Sequence, residues 1–384
     1  MLLQKSSGSN LPLHWCDMAK SDKDNPAKNS ALKFCVASGM LSFTEVNVFT
    51  SVDLTSAPKI ITDIDVLGIW LRQDGSISKS IFDCKSTGGP AIARALWLSG
   101  LLKLVGAEDG MLLMGKPAER AHRLAARQLG INVFGSGGFD NFASATNPEY
   151  AALRSYGGDL NNWHLLHDAA QKFSPGGEIL HILHQEVPLT QDVARSFRRV
   201  ISRILPLKGE LNPAKSSHLA IFNEICVCMA LMLTMMVGDL RNILDLNEDE
   251  KEFGQVVRYY LWGGPEGVAN LRRLYELLRA HDSNTEQETA LVAWPNLLQL
   301  LRGLLEAPTM LRSPALGLRE LALRQLAKHD DIADRRTGQL FAEARSRQFA
   351  KRIALYSAAV LKLPTEFADR IAEQIDTLVE LAAT

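Results

Sequence analysis

Cysteine is scarce and scattered in this 384-residue chain. Five are present (Cys16, Cys35, Cys84, Cys226 and Cys228), and the only close pair has one residue between its members. That excludes a disulfide scaffold and a CxxC zinc site, and it suits a reducing cytosol. An excess of charge is missing too: 42 Lys and Arg stand against 43 Asp and Glu, a formal charge of −1. The chain is therefore no polybasic binder, and any nucleic-acid site must be a local patch. Apolar runs are short. The longest, residues 225–237, is broken only by Thr234 and falls well below the roughly 20 residues a bilayer span needs. It reads as a buried core helix. No secretory signal opens the chain, so the expected location is cytoplasmic, with no membrane partner.

What is present divides into unlike parts. Residues 1–27 are rich in Ser, Lys, Asp and Asn and read as a flexible tail. Across 28–142 helical and strand patterns alternate. NSALKFCVASGM suggests a short helix ending near Gly39. SFTEVNVFTSVDL, TDIDVLGIWL and SISKSIFDCKS read as three strands, the last two joined by a turn at Gln73-Asp74-Gly75-Ser76. GPAIARALWLSGLLKLVGA has helical spacing. GMLLMG, PAERAHRLAARQLG and INVFG then read as strand, helix and strand. This order predicts an α/β domain with a mixed central sheet flanked by helices. After Asn147-Pro148 the β signal fades, and residues 148–384 carry 3.6-residue periodicity in long segments, among them 149–173, 177–186, 216–244 and 334–361. An all-α domain follows the α/β domain.

The chemistry concentrates in TDIDVLGIWLRQDGSISKSIFDCKS. Alternation along a strand puts Asp63 and Asp65 on one face of the first strand, and Asp83 and Lys85 on one face of the second. Pairing across the turn, with that face toward solvent, would gather Asp65, Asp83 and Lys85. Phosphodiester hydrolysis needs such a set: carboxylates to hold Mg²⁺, a hard ion with oxygen ligands, and a lysine as a point charge near the phosphate. An acid-x-Lys triplet is a weak signal alone, and it occurs twice. Asp249-Glu250-Lys251 sits at a charged helix start, where the dipole favours acids. Asp83-Cys84-Lys85 ends a strand, follows another acid-bearing strand and precedes a helix.

Ile64-Asp65-Val66-Leu67-Gly68, then Asp83-Cys84-Lys85-Ser86, then a long helix, resembles the core of the PD-(D/E)XK nuclease superfamily over residues 29–135. The resemblance implies a restriction-endonuclease-like fold and a Mg²⁺-dependent nuclease, with Mn²⁺ as substitute. Asp65 and Asp83 would be metal ligands, the backbone carbonyl of Cys84 a third, and Lys85 the catalytic lysine. Ile64 stands where the superfamily's name has proline. The acid that many members carry in their first helix is missing from NSALKFCVASGM, and Glu45 on the next strand is the auxiliary candidate.

Ser86 and Thr87 are candidate caps for the following helix. Arg94 within it, Lys116, and Arg120, Arg123 and Arg127 on one face of the next helix are candidate phosphate contacts. Arg195, Arg199 and Arg203 form another stripe. His164/His167 and His181/His184 have the i, i+3 spacing of metal-binding pairs, though packed histidines are commoner. The expected activity is hydrolysis of DNA, ahead of RNA, in repair, restriction or phage defence. The helical domain would serve a protein partner or a second copy. The alternative is a catalytically degenerate nuclease-fold protein that binds nucleic acid or assembles with others.

Overall fold

A computed structural model describes residues 23–50, 59–86, 90–245, 247–278 and 291–384. Among them, five strands form one sheet in the order β1-β2-β3-β4-β5: Leu41–Phe49, Ile60–Leu71, Ile77–Lys85, Asp109–Met114 and Ile131–Phe134. The first three run antiparallel and the last two join in parallel. The mixed sheet is thus the one expected, and helices follow it.

Each local element has a visible cause. α1 spans Asn25–Ser38, begins with a proline in its first turn and stops at Gly39, whose φ of 72° is left-handed. It starts inside the stretch read as a tail; residues 1–22 of that tail lie outside the described residues. The turn between β2 and β3 closes because Asp74 accepts hydrogen bonds from the Ser76 backbone and hydroxyl while Gly75 takes a φ of 84°. α2 (Ala91–Val105) crosses to β4, and α3 (Arg120–Gln128) crosses from β4 to β5. Parallel neighbours require such crossovers. Ser86 does not cap α2, which is preceded by Pro90 and has no side-chain cap. Thr87 lies outside the described residues.

In the helical half, the helix Ser216–Leu240 lies at the centre and is buried along nearly its whole length. Its apolar run is therefore core, as its length indicated. Other segments are broken where side chains cap a fresh helix. The expected 334–361 helix is two, Asp331–Leu340 and Ala344–Val360, because Glu343 turns its carboxylate onto the Ser346 N–H. The expected 149–173 helix is Glu149–Ala152 and Leu160–Gln171, the second capped by Asp159. Asp249 caps Glu250–Trp262 through the N–H groups of Lys251 and Glu252. The acid-x-Lys triplet there is a helix start.

The two halves share a continuous hydrophobic core. Arg319 lies under the Phe43 ring of β1, and Arg312 and Arg336 donate to carbonyls at the C-terminal end of α1. At the far end of the β2–β3 hairpin, Gly75 and Gly238 touch backbone to backbone. A Cβ on either would come within 2.8 Å of the other's backbone.

Candidate functional site

Register places Asp65 and Asp83 where β2 and β3 part. Their ladder ends at Val66 opposite Phe82. One residue further, the Cys84 N–H donates to Asp65 Oδ2 at 2.7 Å, so a carboxylate takes the place of a strand carbonyl. Lys85 reaches back across the gap, its Nζ 3.6 Å from Asp65 Oδ1. The sheet thus brings Asp65, Asp83 and Lys85 to one end.

That end is covered rather than open. Asp65 and Asp83 are each only 4% exposed, and Lys85 32%. α1 supplies one cover: Lys28 lies between Glu45 Oε1 at 2.6 Å and Asp65 Oδ1 at 3.5 Å. Asp24, just before α1, accepts from the Ser86 N–H at 2.5 Å and sits 3.7 Å from the Lys85 ammonium. α2 supplies the other. Arg94 grips Asp83 with two bonds, of 2.5 and 2.6 Å, and its guanidinium stacks 4.2 Å from the Trp97 ring. Its charge is thus directed at a site carboxylate, not outward at a phosphate. The expectation of a solvent-facing cluster is corrected by these two helices.

Glu45, Asp63 and Asp65 can each offer an oxygen within 4.8 Å of the others. Asp83 lies outside that group. Glu45 joins it from β1, where it falls between the Thr44–Val66 and Val46–Ile64 pairs and so stands opposite Asp65. Its backbone φ is 53°, left-handed in the middle of a strand. Desolvation dominates the protonation of this group: burial raises Asp65 to about 6 against the pull of Lys85, the Cys84 N–H and Lys28. It raises Glu45 to about 7 against that of Lys28. Burial also opposes the charge on Lys85, but Asp65, Asp83 and Asp24 outweigh it and hold the ammonium above its ordinary value. The Lys85 side chain is thereby held in its charged form beside the carboxylates.

Five carboxylates (Asp24, Glu45, Asp63, Asp65, Asp83) meet three cations (Lys28, Lys85, Arg94), leaving a balance of −2 when all are ionised. A hard divalent cation fits such a set in charge and in donor atoms. Its holders would be Glu45, Asp63 and Asp65, once Lys28 gives up Glu45 and Asp65, with Asp83 available only if Arg94 lets go.

Of the basic candidates, Lys116 lies at this end, and α3 leads away from it toward the opposite end of β4. Gly115 N–H donates to the Lys85 carbonyl at 2.9 Å, which sets Lys116 beside the site. Arg120, Arg123 and Arg127 are all exposed along α3. Arg127 lies toward the start of β5, 3.4 Å from Asn132 Oδ1. By contrast, Arg199 and Arg203 are paired with Glu186. Among the described residues, neither histidine pair falls in a group that could hold a metal; His184 Nε2 lies 2.7 Å from Glu224, which also accepts from the buried Arg319. A guanidinium there opposes a cation.

Asp24 and Lys28 were missed because their neighbours look like a tail; Pro26, at a favoured helix-start position, was the available signal. Comparison with protein-family models, curated proteins and solved structures finds no match.

Proposed function

We propose that this chain is a divalent-metal-dependent nuclease that hydrolyses DNA phosphodiester bonds, built on a restriction-endonuclease-like α/β domain. The observation that carries the reading is the meeting of Glu45, Asp63 and Asp65 oxygens within 4.8 Å at the parted end of β2 and β3, beside the charged Lys85. The element order, with α1 before three antiparallel strands and α2 and α3 feeding parallel ones, supports the fold assignment. A bound Mg²⁺ would acidify a water and neutralise charge developing on the phosphate. Lys85 would stabilise that same charge electrostatically. Lys116 and the α3 arginines would hold the backbone and fix its register.

A second reading, the catalytically degenerate one, has its own observation. Lys28 and Arg94 already satisfy Glu45, Asp65 and Asp83 without a metal. One experiment separates the two. Mn²⁺ is titrated by calorimetry into wild type, Asp65→Asn and Asp83→Asn, with cleavage of plasmid DNA followed in parallel. Asn keeps an acceptor for the Cys84 N–H, so folding is spared. The nuclease reading expects wild-type binding and cleavage, both lost in Asp65→Asn. A wild type that binds DNA but no Mn²⁺ supports the degenerate reading, and full cleavage by Asp65→Asn sinks the site assignment.

A further inference from the structure

We infer that Gln185, from the helical half, is a positioning residue for Glu45 and so for the proposed metal site, on which reading the inference rests. β1 is an edge strand, and its outward backbone groups need partners. At Glu45 the Gln185 side chain supplies them. Gln185 Nε2 donates to the Glu45 carbonyl at 2.9 Å, and the Asn47 N–H donates to Gln185 Oε1 at 2.6 Å. One carboxamide thus replaces the carbonyl and N–H that a neighbouring strand would present. The clasp thus begins at the carbonyl of the residue whose own φ is 53°, and it fixes the strand immediately after that left-handed turn.

A left-handed glutamate inside a strand is costly, and such conformations persist only where the surroundings impose them. They gather at functional sites. Here the strained residue stands opposite Asp65 in the β1–β2 register, and its carboxylate meets Lys28 within reach of Asp63 and Asp65.

The helical half is built to deliver this side chain. Residues Ile182–Glu186 form a π-helical turn, a local widening often found at functional positions. Its Leu183, His184 and Gln185 are all buried, with Gln185 only 2% exposed. An ordinary helix lying on a surface would turn at least one of three consecutive residues away. His184 then pins the turn through Glu224 and packs edge-on against Phe43 of β1. Gln185 is held from behind as well as bonded in front.

The test uses the full chain. Gln185→Met keeps the volume and removes both bonds. Gln185→Glu keeps the acceptor for Asn47 but sets an oxygen against the Glu45 carbonyl. Mn²⁺ affinity is measured by calorimetry, amide exchange across residues 41–49 by mass spectrometry, and melting by circular dichroism. The expected result is faster exchange in both variants and Mn²⁺ binding weakened about 10-fold or more, the range for residues supporting a metal ligand. The loss should vanish when Gln185→Met is made in a Glu45→Ala background, because one acts through the other. Faster exchange with unchanged Mn²⁺ affinity would reduce Gln185 to a structural clasp and overturn the inference. Additive losses with Glu45→Ala would do the same. If wild type itself shows no Asp65-dependent Mn²⁺ binding, the metal-site reading has failed and the inference falls with it.

Discussion

Lys28→Met is the most revealing single change. The substitution keeps most of the stem and deletes a buried ammonium held between Glu45 and Asp65. Removing one partner of a buried ion pair costs about 3–5 kcal/mol when the other is left charged. Here the carboxyls can partly escape by taking up protons. Glu45, raised to about 7, is near half-protonated at neutral pH already and has little more to lose. Asp65, raised to about 6, is mostly ionised and has more. The expected loss at pH 7 is therefore at or just below the low end of that range, roughly 2–3 kcal/mol. The sign with pH follows from linkage. Both carboxyls titrate higher folded than unfolded, and losing Lys28 raises them further, so the folded state binds more protons than the unfolded one. Its stability then falls as pH rises through that window. The deficit should be largest near pH 8 and shrink to under about 1 kcal/mol near pH 5, where wild type is itself largely protonated at both carboxyls. Urea unfolding with a chelator present, at both pH values, measures it. Equal deficits at both, or none at either, would refute the charge arrangement described here.

Two further outcomes follow from the same site and its rim. Mn²⁺ should bind more tightly as pH rises through 6 to 7, with protons released on binding, because Asp65 and Glu45 must be ionised to act as ligands; calorimetry in buffers of different ionisation enthalpy counts the protons, and a pH-independent affinity would contradict it. Charge reversal at Arg120, Arg123 and Arg127 together should weaken DNA binding and lower the salt slope by about 0.9 for each phosphate that is no longer neutralised. Melting should change little, since all three are exposed; an unchanged slope would mean that this face is merely solvated.

Much of the α/β half was legible because its signals are local. Alternation gave the strands and Asp74-Gly75 gave the turn, and the helix spacing put α2 and α3 within a few residues of their positions. The pairing of Asp65 with Lys85 followed from register alone. What stayed hidden depends on other parts of the chain. The covering of the acids by Lys28 and Arg94 is tertiary, and so is the φ of Glu45, which no strand pattern encodes. The split at residues 341–343 was missed for a simpler reason. Apolar spacing runs on through it, and the break is made by Glu343 capping its own helix.

The seam between the halves also dictates an order of assembly during synthesis. β1 leaves the ribosome early, yet its outer edge is finished by Gln185, its Phe43 face by Arg319, and the end of α1 by Arg312 and Arg336. Contacts so distant in sequence form late, and surface awaiting them is exposed to aggregation meanwhile. The nascent sheet must therefore wait with its edge bare until Gln185 has emerged, and with the Phe43 face and the end of α1 uncovered until Arg312, Arg319 and Arg336 have. Glu45 gains its Gln185 bond only after translation has passed it by 140 residues, and the end of α1 gains its Arg336 bond 300 residues after Val36 has emerged.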